Sequence, residues 1–385
     1  MKKHYARFVL VVFLLVCPTL LGAEVGDTYR SDTSHTYILQ KKFGGGHFGS
    51  VFQVRNLSTQ EKHAAKFFVP EILEQSVLDT YSRISELQDQ GRLTHLIRVY
   101  RPEVFAPIEA AQPGKVHVVR TEIGQGNLEK YETISFSLRH AKNAAARISC
   151  MVRAHDVMED VLAGIVELKS AGLNHHDLNP RNILWTGGSY YKIADLDEVL
   201  PHGRRPRYNA FEARVAPLAY TLENYHFNDD NISDVHQLAQ TLYKLLFGEY
   251  RLDLILKRQG VHSDVHSLRS ELNQLRSLAS FDADLGDDLD CFLGRYFANL
   301  SSVTDAERTA IVEVFAFLHA ALRMDYELRA DALSRLPFMR EFKLGAWRLG
   351  SIRHAEQTGT VEGSETGLAR CIVSIIKGVT DIFRK

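Results

Sequence analysis

The sequence predicts an α+β fold, with a β-rich N-terminal part followed by a mostly helical remainder. In the first part, apolar and polar residues alternate over residues 116–122 as in a half-buried strand, and a glycine-rich stretch at residues 44–49 follows the strand-like residues 37–39. Farther along, apolar residues recur at helical spacing over residues 158–168 and again over residues 238–246. The two kinds of pattern are segregated along the chain, which is typical of an α+β protein.

The length and composition of the chain exclude several classes of protein. Its 385 residues are ample for a domain of about 300 residues with short extensions. Lys and Arg (46) nearly balance Asp and Glu (47), which argues against nucleic acid as the main partner. The four cysteines are widely spaced, so they indicate neither a disulfide scaffold nor a cysteine metal cluster.

Two carboxylates and an amide at fixed spacing point to phosphoryl transfer. Asn182 follows Asp177 by five positions, and Asp195 follows Asp177 by eighteen. Such residues orient a hydroxyl and hold Mg²⁺ on a triphosphate. Taken alone, the segment around Asp177 also fits an ordinary turn, because Asn179 and Pro180 are residues that turns favour.

A glycine-rich segment upstream is typical of a phosphate-binding loop. Gly44, Gly46, Gly49 and Val51 fit the pattern G-x-G-x-x-G-x-V, and Lys66 follows in a strand-like segment. Glycines let the backbone approach phosphate oxygens closely, and a lysine ammonium then neutralises their charge. A simple hairpin turn remains the alternative for this segment considered by itself.

In this order and spacing, the motifs resemble those of the eukaryotic-type protein kinase family, and the resemblance extends from Tyr37 to Phe338. It implies a two-lobed protein kinase-like fold, with a β-rich N-lobe that carries helix C and a mostly helical C-lobe. The kinase domain would occupy residues 35–340.

The resemblance also implies how ATP would be bound. The residues expected to contact it are Phe43, Gly44, Gly46, Gly49, Val51, Lys66, Thr121, Glu122 and Ile123. Thr121 would be the gatekeeper, and the backbone of Glu122 and Ile123 would contact adenine. Lys66 would be held by Glu86, which has the family's spacing to the next strand.

The resemblance assigns the chemistry to the second part of the chain. Asp177 would orient the acceptor hydroxyl and take its proton, while Asn182 and Asp195 would ligate Mg²⁺ or Mn²⁺. Three further residues would have structural roles. They are His175, Asp234, which would brace the catalytic loop, and Arg329, which would pair with Glu223 of the activation segment.

The implied activity is ATP-dependent phosphorylation of a protein hydroxyl, with Ser or Thr preferred over Tyr. The chain departs from the family pattern at His176, Asn179 and Asp197, where arginine, lysine and glycine are usual. A pseudokinase scaffold is therefore one alternative. Another is a small-molecule phosphotransferase of the aminoglycoside or choline kinase type, although such enzymes lack the motifs around Asp234 and Arg329.

Residues 1–23 have the layout of a secretory signal peptide. Basic residues come first, an apolar stretch follows over residues 8–17, and small residues precede the acidic Glu24. We therefore expect a secreted or exported protein, with an uncleaved membrane anchor as the alternative.

The C-terminal region is expected to lie outside the kinase domain. Residues 341–370 are predicted to be a polar linker, and residues 371–385 an amphipathic helix with several isoleucines on one face. That helix would dock on its own domain or contact a membrane surface or a partner. The sequence leaves the protein substrate and the oligomeric state open.

Overall fold

The computed structural model describes residues 23–46, 48–108, 114–130, 138, 141, 143–187, 190–204, 232–248, 250, 305–322 and 339. Most of residues 1–23 and all of residues 341–385, with the predicted linker and C-terminal helix, lie outside these ranges. Among the helices described, none is long and apolar enough to cross a membrane. The chain divides into two compact units, residues 1–124 and 125–385.

Six strands of the first unit form a closed barrel. They are β1 (Thr28–Ser31), β2 (Thr36–Gly46), β3 (Gly49–Asn56), β4 (Lys62–Phe68), β5 (Glu103–Pro107) and β6 (Val116–Thr121). Their order around the barrel is β1-β2-β3-β4-β6-β5. Closure depends on β1, because Tyr29 is paired with Tyr37 of β2 on one side and with Pro107 of β5 on the other. This strand precedes residue 35, where the sequence places the start of the kinase domain.

Aromatic and aliphatic side chains fill the barrel. The buried cluster comprises Tyr29, Tyr37, Leu39, Phe52, Val54, Ala65, Phe67, Phe105, Val116 and Val118. The rings of Tyr37 and Phe105 stack at 5.0 Å between centroids, and those of Tyr29 and Phe67 meet edge to face at 5.2 Å. Because side chains alternate between the two faces of a strand, a filled interior leaves the intervening residues on the outside.

The first unit also contains a helix, α1 (Gln75–Asp89), which packs against the barrel. Its buried residues recur at helical spacing, and they are Val77, Leu78, Tyr81, Ile84, Ser85 and Leu87. The Tyr81 ring contacts Phe68 of β4 edge to face, with 6.1 Å between centroids. This contact fixes which side of α1 faces the first unit's core.

The described part of the second unit contains three long helices and two small sheets. The helices are α2 (Ala144–Ser170), α3 (Ile232–Phe247) and α4 (Asp305–Leu322). The strands are β7 (Gly126–Asn127), β8 (Leu173–Asn174), β9 (Ile183–Gly187), β10 (Tyr190–Ile193) and β11 (Leu200–Pro201). The sheet orders are β10-β9-β7 and β11-β8, and all three helices pack against one another.

Local signals set the ends of the helices. The Asn143 side chain accepts a 2.9 Å hydrogen bond from the Ala146 amide and caps the start of α2. Just beyond the ends of α2 and α3, Gly172 and Gly248 have φ values of 69° and 83°, a left-handed conformation that glycine adopts without strain. The chain thus leaves α2 abruptly and enters β8, which leads directly to Asp177.

Candidate active site

Four of the nucleotide-binding residues expected in the first unit share one face of its barrel: Gly44, Val51, Lys66 and Thr121. Val51 is paired with Lys66 on one side and with Gly44 on the other. Directly opposed residues of an antiparallel sheet project to the same face. Thr121 is paired with Ala64, two positions before Lys66, so it projects to this face as well. The face is the outer one, because the chain neighbours of Lys66 point into the filled core.

The three motif glycines meet different surroundings. Among the described residues, no atom lies within 4 Å of a Cβ built at Gly44 or Gly46, so packing against these residues does not require glycine at either position. A Cβ at Gly49 would lie only 2.0 Å from the carbonyl oxygen of Phe67. Gly49 is therefore needed for the close approach of β3 to β4, whereas Gly44 and Gly46 leave open space over the loop. Phe43 lies beside them and is 41% exposed.

Lys66 and Glu86 are not brought together. The Lys66 ammonium lies 6.0 Å from the centroid of the Phe48 ring and 5.8 Å from that of Phe68. The Glu86 carboxylate instead meets the Arg101 guanidinium at 3.3 Å, and the Glu86 side chain is 55% exposed. The reason is the rotation of α1, which turns Ile84 and Ser85 toward the core and Glu86 toward solvent.

The segment expected to contact adenine begins at the end of β6. The Glu122 amide donates to the Arg98 carbonyl at 3.0 Å, and its carboxylate accepts from the Arg98 amide at 2.8 Å. The Thr121 hydroxyl donates to the Glu122 carbonyl at 3.1 Å. Since the Glu122 N–H is engaged with Arg98 and the Glu122 carbonyl accepts from Thr121, the expected adenine contact depends on the backbone of Ile123.

In the second unit, Asp234 holds the backbone that leads to Asp177. Its two carboxylate oxygens accept from the amides of His175 and His176, both at 2.8 Å. All three residues are fully buried. A hydrogen bond to a charged acceptor is stronger than one between neutral groups, so this contact restrains the loop firmly.

His175 connects the Asp177 loop to the segment that carries Asp195. One ring nitrogen lies 3.0 Å from the Ala194 carbonyl, and the other accepts from the Asp177 amide at 3.2 Å. Burial lowers the pKa of His175 to about 4. The ring is consequently neutral near pH 7, with its proton on the nitrogen facing Ala194.

Two amides hold the Asp177 carboxylate. Asn179 donates to one carboxylate oxygen at 3.1 Å, and Asn182 donates to the other at 2.7 Å. The same two amide groups also donate to the Asp177 carbonyl, at 3.1 and 2.8 Å. The side-chain oxygen of Asn179 accepts from the Arg181 amide at 3.0 Å, which fixes its own orientation. The Asp177 side chain is thus set in a defined direction.

Asn182 and Asp195 fit a divalent cation. The Ala194 amide donates to the Asn182 carbonyl at 2.8 Å, which joins the two segments beside Asp195. Because the Asn182 amide nitrogen points at Asp177, the side-chain oxygen of Asn182 is directed away from that carboxylate, and Asp195 adds a carboxylate to the oxygen donors of this segment. Oxygen donors of this kind suit Mg²⁺. Asp195 has a φ of 57°, and Asp197, which replaces the usual glycine, is buried within the short 3₁₀ turn that follows.

His176 is buried next to Asp177 and cannot act as a cation near neutral pH. Burial, together with the neighbouring His175 and His202, lowers its pKa to about 3. Its φ of 68° places a non-glycine residue in the left-handed region. Backbone strain of this kind is concentrated at functional sites.

Two contributors to this site escaped the sequence analysis. From the sequence, Asn179 is a turn residue and a departure from the family pattern, yet its amide holds Asp177. Gln237 bonds the His176 carbonyl and the Leu178 amide, both at 2.7 Å. The signal for Gln237 was its position three residues after Asp234, on the same face of α3. Arg329 and Glu223 lie outside the described residues.

Comparison with known proteins gives one family. The model of that family, described as "Protein kinase domain", matches residues 37–329.

Several curated proteins are similar over part of the chain. The chain is 26% identical over 166 residues to "Serine/threonine-protein kinase PLK4" of Drosophila sechellia, covering 43% of this chain and 19% of that protein. It is 25% identical over 234 residues to "Serine/threonine-protein kinase ATG1c" of Arabidopsis thaliana, covering 59% and 28%. With "Putative mitogen-activated protein kinase 14C" of Drosophila melanogaster, identity is 28% over 163 residues, covering 42% and 41%. The chain thus spans less than half the length of each of these relatives.

Proposed function

The chain belongs to the protein kinase domain family, and we propose that it transfers the γ-phosphoryl group of ATP to a protein hydroxyl, with Ser or Thr preferred over Tyr. The observation that carries this proposal is the arrangement around Asp177. Its carboxylate is oriented by the amides of Asn179 and Asn182, on a loop that Asp234 restrains from within the core. A carboxylate held in this way is prepared to receive a proton from a hydroxyl.

The proposed reaction is an in-line displacement. The acceptor hydroxyl oxygen forms a bond to the γ-phosphorus as the bond between that phosphorus and the β,γ-bridging oxygen of ATP breaks. The hydroxyl proton passes to Asp177, and ADP leaves with the bridging oxygen. Most of the catalysis in such a reaction comes from positioning and from charge stabilisation rather than from covalent chemistry.

The residues of the first unit would bind the nucleotide. Lys66 would neutralise phosphate oxygens, and the loop of Gly44 and Gly46 would admit the phosphates to its backbone, since no atom in the described part of the chain fills the space where a Cβ would stand. Asn182 and Asp195 would hold Mg²⁺ or Mn²⁺, which when bound offsets the negative charge of the phosphates.

The test is a transfer assay on the purified chain with γ-labelled ATP and either Mg²⁺ or Mn²⁺. One panel of acceptors contains proteins and a second contains amino alcohols and aminoglycosides. We expect label on protein serine or threonine, identified by phosphoamino acid analysis. Label on amino alcohols alone would favour a small-molecule phosphotransferase. Nucleotide binding without transfer to either panel would favour a pseudokinase, an alternative that the separation of Glu86 from Lys66 keeps open.

We also propose that residues 1–23 direct export of the chain. Support comes from their basic, apolar and small-residue regions. Mass spectrometry of the protein made in its own host should find a mature N-terminus near Glu24. Recovery of intact residues 1–20 would favour the membrane anchor instead.

A further inference from the structure

The catalytic loop around Asp177 is irregular, so its backbone needs hydrogen-bond partners that no helix or sheet supplies. Buried backbone groups without partners are costly, which makes every such contact informative. The amides of His175 and His176 are bonded by Asp234. The amide and carbonyl of Asp177 are bonded by His175 and by the two asparagines.

Gln237 bonds the two backbone groups that flank Asp177. Its amide nitrogen donates to the carbonyl of His176 at 2.7 Å, and its amide oxygen accepts from the N–H of Leu178 at 2.7 Å. The Gln237 side chain is fully buried. A side-chain amide is suited to this task because it presents a donor and an acceptor side by side.

From this geometry, we propose that Gln237 is a positioning residue that clamps the backbone on both sides of Asp177 and thereby aims its carboxylate. The proposal rests on the proposed phosphoryl transfer. Asp234 and Gln237 lie three residues apart on one face of α3, so a single helix restrains the loop at four backbone groups. Without the Gln237 bonds, Asp234 would still hold the loop before Asp177, but the Leu178 side would be free to shift.

The test compares Gln237→Leu with the matched control Gln240→Leu. Gln240 is also a fully buried glutamine of α3, and its side-chain amide contacts the His236 ring, not the catalytic loop. Both variants are first compared with wild type by thermal unfolding. Three quantities are then measured: kcat, KM for ATP, and the hydrogen-exchange rate of the Leu178 amide.

We expect Gln237→Leu to speed exchange at Leu178 and to lower kcat by about 10- to 100-fold, because small misplacements of a catalytic group have effects of this size. KM for ATP should change less than about threefold, since the nucleotide contacts are untouched. Gln240→Leu should leave kcat and Leu178 exchange unchanged. Gln237→Glu keeps the acceptor for Leu178 but loses the donor for His176, so exchange at Leu178 should remain slow.

The outcomes separate this inference from the proposed function. Faster Leu178 exchange with an unchanged kcat would overturn the positioning role. Unchanged Leu178 exchange would overturn the clamp itself. If the wild-type chain transfers no phosphoryl group to any acceptor, the proposed function and the positioning role both fail, while Leu178 exchange still tests the clamp. If Gln237→Leu unfolds, Gln237→Glu supplies the comparison through kcat: it loses the donor to the His176 carbonyl, so a kcat equal to that of wild type would overturn the positioning role.

Discussion

At the scale of single residues, the described site is built from groups whose charge state is set by burial. His175 and His176 flank the approach to Asp177, and both are kept neutral because their pKa values fall to about 4 and about 3. The Asp177 carboxylate is therefore not oriented by an adjacent imidazolium. Asparagine amides, which carry no charge, orient Asp177 instead.

Replacement of Asp177 by Asn tests the role of this carboxylate. The variant is nearly isosteric but cannot accept the hydroxyl proton, so kcat should fall by about 10²- to 10⁴-fold. The dissociation constant for ATP, measured by calorimetry, should change little because Lys66 and Asp195 are retained. Transfer at the wild-type rate would show that Asp177 is not the catalytic base.

The burial of His176 leads to a prediction about regulation. In family members with arginine at this position, the guanidinium pairs with a phosphorylated residue of the activation loop. His176 is neutral and has no exposed surface, so it offers no charge to a phosphate. Phosphorylation orders an activation loop by adding a charge that pairs with a cation, and His176 supplies no cation. Phosphatase-treated and untreated enzyme should therefore have activities within about twofold of each other. Substitution of the loop acceptors Tyr208, Tyr220 and Thr221, which lie outside the described residues, should likewise have little effect on activity. A tenfold loss of activity in either experiment would contradict this prediction.

At the scale of elements, the hairpin of β2 and β3 combines a packing requirement with an open surface. Gly49 lies where β3 passes close to β4, while Gly44 faces open space on the same side of the sheet as Lys66. The motif therefore includes one glycine, Gly49, that the fold needs and others, such as Gly44, that packing does not explain. Alanine substitutions can distinguish the structural role from a role in ligand binding.

Gly49→Ala should change the stability of the fold, whereas Gly44→Ala should change the binding of ATP. The added methyl group at Gly49 would meet the Phe67 carbonyl, so thermal stability should fall, by about 1–3 kcal/mol if it follows other cases of overpacking. Gly44→Ala should retain wild-type thermal stability, yet it should weaken ATP binding if phosphates approach this backbone. Unchanged ATP affinity in Gly44→Ala would remove Gly44 from the nucleotide site.

At the scale of the whole molecule, each unit has a core of its own. The barrel interior stabilises the first, and the packed faces of α2, α3 and α4 stabilise the second. The second core also contains buried titratable groups, since burial lowers the pKa of His236 to about 4, as it does for His175. A core with neutral histidines makes stability depend on pH.

The second unit should begin to lose stability near pH 6.5, although its buried histidines have folded-state pKa values of only about 3 to 4. Between about pH 6.5 and 4 the unfolded chain binds protons on His175, His176 and His236 that the native chain does not bind. Stability should thus be full above about pH 6.5 and fall as the pH is lowered, by up to about 1.4 kcal/mol per pH unit for each histidine. Urea unfolding followed by circular dichroism at pH 7.5, 6.5 and 5.5 measures this. His236→Gln should show a shallower decline, and a free energy of unfolding that stays constant over this range would contradict the prediction.

The sequence alone predicts the α+β class, the helical periodicity within α2 and α3, and the motif spacing of Asp177, Asn182 and Asp195. These are short-range features, because the periods of helices and strands and the chemistry of turns involve residues close together in the chain. Three other features depend on long-range contacts: β1 closes the barrel, Glu86 pairs with Arg101, and Gln237 reaches the catalytic loop 59 to 61 residues away. Such contacts depend on the rotation of helices and on the path of the chain between distant segments. No local pattern in the sequence records either of these.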